Sequence, residues 1–397
     1  MADLAHLNNA IDLFDDFLDV GRFSFHHLSN RIRVVTEVGP VIRRIEEVGV
    51  EHQDIRMTEA LENLGNKIYE LSVKMNRNWD VLKFFMVENP IFGDVAQEAG
   101  TVTKFLQDTI SHPCGHSFGI FGDACGKMSP LMNGYKLITL LEQDTTNALK
   151  KAMNEDILKM TNTFERWRGI LDGVMTHFLF LESFCNGLFW EQNMYGPNNL
   201  KQKIAIIIRK FDDWKDEYKI NYWPDTVQQI IFRVQDQNQS LSNDQKARKL
   251  QGLLDQILTD DSFLIMVSDS ESTKDHSFES SDNQLVTSFR RAGCNIAVYR
   301  SRSWKNAKEE DIWRMKKVIE DCKVKAKTWT KPLPDLPKFI MSNVIPNSGF
   351  IGLIKDELAV AILSANNQNP HYATPGHWTC VSIGNNALEY ILIAGFR

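Results

Sequence analysis

Apolar residues recur at alternating spacings of three and four over a long stretch of the chain, residues 157–188. Such a heptad stripe faces a partner helix along its whole length, and it predicts one helix of about 48 Å at about 1.5 Å per residue. The residues of this seam are Ile157, Met160, Phe164, Trp167, Leu171, Val174, Phe178, Leu181, Cys185 and Leu188. Because no proline interrupts the preceding residues, the helix is expected to extend back to Tyr135.

The same periodicity predicts further helices before this one. A stripe over residues 57–86 ends at Pro90, and a third helix is predicted at 92–110. Two shorter helices precede them, with breaks at Gly21 and Pro40. Long helices with one apolar stripe cannot bury it alone, so they must pack lengthwise as a bundle or as an oligomer. We therefore predict a long-helix bundle domain over residues 1–195.

The pattern changes after the turn-forming residues 195–199. The elements predicted beyond them are helices at 200–218, 224–234 and 243–259, a strand at 263–267, a polar loop at 268–282, a helix at 283–292, a strand at 295–299, a helix at 309–325 and a β-hairpin at 378–393. The strand–helix–strand order favours a parallel pair of strands. The predicted fold is mainly α: a long-helix bundle followed by a smaller α/β region, residues 196–397, with a C-terminal β-hairpin.

Composition narrows the function classes. Hydrophobic residues make up 43% of the chain and charged residues 24%, with a net charge of −6, which argues against nucleic-acid binding because that needs a concentrated basic surface. Residues 1–14 lack the features of a signal peptide, so the chain is expected to be cytoplasmic as it stands, or secreted if it is a processed mature chain. The apolar window 173–181 is too short for a spanning helix, which needs about 20 residues.

Candidate chemistry is sparse. No glycine-rich phosphate loop follows either predicted strand, and no set of acid, base and nucleophile can be assembled, so neither catalytic nor cofactor-binding residues are predicted. His112, Cys114, His116 and Cys125 lie close together in sequence, but their spacing matches no common zinc motif, and no metal site is assigned. A Cys114–Cys125 disulfide in an extracellular chain, free thiols and a zinc site remain as alternatives for these residues.

The segment 117–124 is rich in glycine and aromatic residues, and it is predicted to be a loop at one end of the bundle. Phe118, Ile120 and Phe121 are its large apolar side chains. Two interpretations stand side by side: these residues fill the end of the bundle, or they form a membrane-contacting loop.

Several short motifs resemble the cephalotoxin-like and rapunzel-related helical proteins. They are the block of long helices, the loop bounded by Cys114 and Cys125, and the segments 184–188, 222–224, 263–267 and 295–300. The similarity would span residues 40–325. The resemblance implies a non-enzymatic protein similar to helical toxins, which are usually secreted; the missing signal segment departs from that pattern.

The leading hypothesis is therefore a non-enzymatic, membrane-interacting protein resembling pore formers, which uses the apolar loop and the heptad stripes to oligomerise on a lipid bilayer. The alternative is a structural or interaction protein that self-assembles through its long helices. Self-association is expected in both cases, and nucleic acid is not expected as a partner.

Overall fold

The computed structural model divides into two compact units, Met1–Glu155 with Thr163–Trp214, and Asp156–Asn162 with Lys215–Arg397. The structure describes residues 2–19, 25, 30–48, 54–189, 193–269, 276–280, 283–291, 293–302, 317, 348–355, 360–366, 378–385 and 388–396. The division lies inside a helix, between Trp214 and Lys215, whereas the sequence placed a domain border at the turn cluster before it.

Helices make up the first unit in the part of the chain that the structure describes. They are α1 (Ala2–Leu18), α2 (Arg33–Val48), α3 (Ile55–Phe85), α4 (Ile91–Ser111), α5 (Gly115–Lys127), α6 (Pro130–Glu142), α7 (Ala148–Glu155), α8 (Thr161–Phe189) and α9 (Tyr195–Asn221), of which α9 continues into the second unit. The predicted mainly α fold is confirmed, and the predicted helices at 57–86 and 92–110 correspond to α3 and α4. The carboxylate of Asp54 caps α3 by accepting from the backbone N–H of Arg56.

Two predictions about helix ends were wrong. The single helix expected from Tyr135 to Leu188 is divided into α6, α7 and α8, so Ile157 and Met160 lie outside α8 and Ile157 is 67% exposed. Lys159 has a φ of 50°, a left-handed conformation that stops a helix, and Asp156 accepts from the backbone N–H of Met160. These turn contacts are local chemistry that the apolar spacing does not report.

Pro40 was expected to be a helix break, but it lies inside α2. A proline in a helix removes one backbone hydrogen bond and usually bends or breaks the helix. Here the helix continues because Val38, Val41 and Ile45 form a buried face whose packing outweighs that loss.

Helix α8 is the most buried helix of the first unit. Every residue from Ile170 to Leu188 is buried. Aromatic rings from other helices surround it: the ring centroid of Phe180 lies 5.0 Å from that of Phe14, and Phe178 lies 5.9 Å from Trp79. The heptad stripe predicted for α8 is therefore enclosed within one chain.

The second unit combines helices with two four-stranded sheets. Its helices include α10 (Asp225–Gln237) and α11 (Asn243–Leu254), and its strands are β1 (Ser262–Asp269), β2 (His276–Ser280), β3 (Leu285–Arg291), β4 (Cys294–Ser301), β5 (Ser348–Lys355), β6 (Val360–Ala365), β7 (Trp378–Asn385) and β8 (Leu388–Phe396). The sheet orders are β3-β4-β1-β6 and β2-β5-β8-β7. Alternate residues of β1 pack into two different hydrophobic cores, one on each face of the strand. Ile265 packs with α10 and α11, and Leu264 packs with Phe350 of β5.

The predicted parallel strand–helix–strand unit was wrong. Residues 283–292 were expected to be helical, but they contain β3, which pairs antiparallel with β4. β1 and β4 are also antiparallel, with Ile265 opposite Val298. Gly293 has a φ of 70° and closes a tight β3–β4 hairpin, so strand pairing decides the conformation of this segment.

The other elements of this unit are closer to expectation. The loop predicted at 268–282 was wrong in part, because the segment contains β2 and the end of β1. The C-terminal hairpin is confirmed, since β7 and β8 pair antiparallel. The capping box of Ser242 and Gln245 begins α11. The helix predicted at 309–325 lies outside the described residues except for Lys317.

Candidate functional site

The interior of α8 holds three ionisable side chains in one helical stretch: Asp172, His177 and Glu182. His177 lies within the apolar window 173–181, and Asp172 and Glu182 are the residues that border it. Because all three side chains are buried, they do not form an acid–base site that faces solvent. Their environments nevertheless determine how this helix responds to pH.

Asp172 is the most strongly perturbed of the three. Burial raises the pKa of its carboxyl from 3.8 to about 7, although Arg168 opposes that rise. The Nε atom of Arg168 lies 3.7 Å from Asp172 Oδ2, and its Nη1 donates at 2.6 Å to the exposed Asp212. The arginine is therefore shared between two carboxylates, and the buried one has the longer contact.

His177 and Glu182 are each held by a polar neighbour. The Nε2 atom of His177 lies 2.9 Å from the hydroxyl of Thr103, and burial lowers the pKa of the imidazole to about 4. Glu182 accepts from the backbone N–H of Leu131 at 3.1 Å and from the side-chain amide of Asn186 at 2.7 Å, while burial raises the pKa of its carboxyl. At neutral pH the imidazole is uncharged, as its apolar surroundings require.

The predicted Cys114–Cys125 disulfide was wrong. Cys125 is bonded to Cys185 of α8, 60 residues further along, and Cys114 is an exposed free thiol. The expected loop is instead helix α5, which separates Cys114 from Cys125 by about 16 Å at 1.5 Å per residue, well beyond disulfide reach. The zinc alternative also fails for these residues, because the sulfur of Cys125 is already bonded to another sulfur.

Cys114 is the residue before the first turn of α5. The backbone N–H and the hydroxyl of Ser117 both interact with its sulfur, and these hydrogen bonds lower the pKa of the thiol. Across the described residues, no group of three or more His, Cys, Asp or Glu side chains could hold a metal ion.

The predicted membrane-contacting loop is also part of α5. Phe118 is 7% exposed, Phe121 is fully buried against Phe189 with ring centroids 5.7 Å apart, and only Ile120 is exposed, at 39%. The burial of the two phenylalanines agrees with the alternative that they fill the bundle, and a membrane contact by them would require their release from it. A glycine-rich, aromatic sequence looked like a loop, but the periodicity of its large residues matched a short helix.

An exposed apolar cluster is found instead at the turn between α3 and α4. Phe84 is 89% exposed, Val87 78% and Ile91 43%. We call these three residues the apolar tip. The adjacent Phe85 packs on Trp167, with ring centroids 4.4 Å apart, and so anchors this turn while its neighbour Phe84 projects into solvent. A signal was present in the sequence: Phe84 and Val87 fall off the α3 stripe, which continues through Leu82 and Met86.

A family model described as "Protein of unknown function (DUF684)" matches residues 59–389. The chain belongs to the DUF684 family. No curated protein and no solved structure matches it.

The DUF684 match begins within α3 and ends within β8, so it spans parts of both units. It includes the apolar tip, the whole of α8 and both cysteines of the disulfide. Helices α1 and α2 precede it. Within the described part of this DUF684 protein, no helix combines the length and the apolar character needed to cross a membrane.

Proposed function

We propose that this DUF684 protein is a non-enzymatic helical protein that interacts with lipid membranes in the manner of pore-forming toxins. The apolar tip would contact the bilayer first, and partial release of α8 from the bundle would follow. The observation that carries the proposal is the near-complete exposure of Phe84 and Val87 on a turn anchored by Phe85.

The energetics of the tip favour a bilayer contact. Fully burying an exposed Phe, Val or Ile side chain is worth about 1.5–3 kcal/mol each. Polar residues flank the cluster: Lys83 forms an ion pair with Asp80 at 3.0 Å, and Glu88 is exposed. The apolar tip could therefore insert into a membrane surface to the depth of a few side chains, while the charged residues beside it stay in the headgroup region.

Helix α8 supports a second step. Its buried stretch Ile170–Leu188 is about 28 Å long at 1.5 Å per residue. Because it contains Asp172, His177 and Glu182, it would contact lipid through one apolar face beside other copies of the chain and would not cross a bilayer alone. Bundle packing hides this surface, and the Cys125–Cys185 bond ties α8 to α5. Because structural disulfides persist mainly in oxidising compartments, this bond favours secretion over the cytoplasmic location.

Oligomerisation is proposed to follow membrane contact. The stripe of α8 is enclosed within one chain, so self-assembly through that stripe requires its prior release. We therefore expect a monomer in lipid-free solution, and light scattering measures this directly. A stable oligomer without lipid would favour the alternative, a structural protein that self-assembles through its helices.

The test compares two variants in vesicle experiments. The double variant Phe84→Ser/Val87→Ser removes most of the apolar tip without touching the core. Ile55→Ser is the matched control, because Ile55 is 74% exposed but lies at the other end of α3, about 45 Å away. We expect the wild type and the control to bind vesicles of phosphatidylcholine with phosphatidylserine and release entrapped dye. The double variant should bind at least tenfold more weakly, since tenfold corresponds to about 1.4 kcal/mol.

Addition of a reductant separates the two steps. If α8 must leave the bundle, reduction of the Cys125–Cys185 bond should increase dye release while vesicle binding through the tip is unchanged. Absence of both binding and leakage across lipid compositions, for the intact and the reduced protein, would refute a membrane role.

A further inference from the structure

A cavity of about 620 Å³ lies within the second unit, between the end of α9, the residues before β1 and the end of β4. Its volume falls in the range of small-molecule sites. The charged and aromatic residues that line it are Asp216, Lys219, Trp223, Asp260, Asp261, Arg300 and Arg302. This cavity plays no part in the membrane contact proposed above.

Arg300 is the unusual residue of the cavity. Its side chain is only 8% exposed, and its guanidinium lies over the indole of Trp223, 4.6 Å from the ring centroid. The nearest carboxylate oxygen, Oδ2 of Asp261, is 3.7 Å from Nη1, which is too long for a hydrogen bond. Its Nε is buried without a hydrogen-bond partner. A buried guanidinium normally has its five donors satisfied, so this cation, although it is within ion-pair distance of Asp261, has at least one unsatisfied donor.

The backbone holds Arg300 in place at the sheet end. Its N–H donates to the carbonyl of Gln284 at 2.8 Å, and its own carbonyl accepts from the side-chain amide of Gln284 at 3.2 Å. Trp223 is fixed in turn, since its indole N–H donates to the carbonyl of Asn283 at 2.7 Å. The guanidinium and the indole beneath it therefore form a preorganised surface.

The acidic groups of the cavity are already engaged with other residues. The hydroxyl of Tyr222 donates to Asp261 Oδ2 at 2.8 Å. Lys219 pairs with Asp260 at 2.9 Å and with Asp216 at 3.6 Å. Arg302 has no carboxylate partner among the described residues. The three carboxylates of the lining are thus engaged, while the Nε of Arg300 has no hydrogen-bond partner.

We propose that this cavity binds a small organic molecule through a carboxylate held by Arg300 and Arg302. A planar carboxylate matches the flat guanidinium and can accept two parallel hydrogen bonds from it. A carboxylate carries one negative charge and is repelled less by Asp216, Asp260 and Asp261 than a phosphate dianion would be. The apolar side chains of Trp223 and Ile220 would contact the organic part of the ligand.

Fluorine NMR titration with para-fluorobenzoate tests the site on the full chain. We expect saturable binding that is weakened at least tenfold in Arg302→Gln and in Arg300→Lys, which keeps the charge but loses the planar fork. Arg233→Gln is the matched control, because Arg233 is an exposed arginine of α10 in the same unit that does not line the cavity. Its affinity should equal that of the wild type.

Arg302→Gln keeps the test valid if Arg300→Lys disturbs folding, because Arg302 is partly exposed. The neutral analogue para-fluorobenzamide should not bind, and inorganic phosphate should not displace the benzoate. Three outcomes would each overturn the proposal: no saturable benzoate binding, equal binding of the amide, or equal displacement by phosphate, which would identify a general anion site.

Discussion

Gly187 lies where α8 comes closest to α2. A Cβ atom at this position would be 2.2 Å from the carbonyl oxygen of Thr36, and one at Gly39 would be 2.3 Å from the carbonyl carbon of Gly187. The obstructing atoms are backbone, so they cannot move aside without separating the two helices. These two glycines therefore set the distance between α2 and α8.

Gly187→Ala should destabilise the protein by several kcal/mol, because overpacking against backbone costs about 1–3 kcal/mol or more. Gly169→Ala is the control in the same helix, since an added Cβ there meets nothing within 4 Å. That substitution should be neutral or stabilise by up to about 1 kcal/mol through helix propensity. Denaturant unfolding measures both, and equal effects would show that the contact with Thr36 is not tight.

Asp172 predicts a specific pH dependence. Because its folded pKa of about 7 is above the unfolded value of 3.8, its contribution to stability is present at low pH and lost as pH rises through about 7. Asp172→Asn mimics the protonated form, so it should stabilise the protein at pH 8 by up to about 4 kcal/mol, at about 1.4 kcal/mol per pKa unit. Near pH 4 the two proteins should have similar stability.

Unfolding free energies at several pH values measure this difference. The lowered pKa of His177 acts in the opposite direction between about 6.5 and 4, but it contributes to both proteins and cancels in the comparison. Asp213→Asn, at an exposed carboxyl of α9, serves as the control. A pH-independent difference between Asp172→Asn and the wild type would contradict the assigned environment.

At the scale of elements, α5 and α8 are joined covalently as well as packed. The Cys125–Cys185 bond closes a loop spanning 60 residues, which includes α6 and α7. The apolar stripe of α8 anticipated that this helix would be buried, and it included Cys185 as one of its members. The stripe did not indicate which other cysteine would bond to Cys185.

Replacing both cysteines, Cys125→Ala/Cys185→Ala, should lower the unfolding free energy by about 4 kcal/mol, as expected from chain entropy for a loop of this length. Cys114→Ala is the control, because that thiol is exposed and unbonded. Denaturant unfolding with and without reductant measures the effect. If reductant leaves the wild type unchanged, the bond is either not formed or contributes nothing.

At the scale of the whole molecule, the two units are interleaved along the chain. Residues 156–162 belong to the second unit although the segments on both sides of them belong to the first. Leu158 packs in the core of the second unit, and Met160 forms a β-bridge with Ile257. This explains why a heptad stripe continued from α8 back through Ile157 in the sequence while the helix did not.

Local patterns in the sequence were enough for the helices that bury one stripe, for the capping box of α11 and for the terminal hairpin. Each of these depends on residues only a few positions apart. The antiparallel pairing of β1 with β4 and the Cys125–Cys185 bond emerged only from the folded chain. Both depend on contacts between residues that are distant in sequence, and such contacts produce no periodic pattern of apolar residues along the chain.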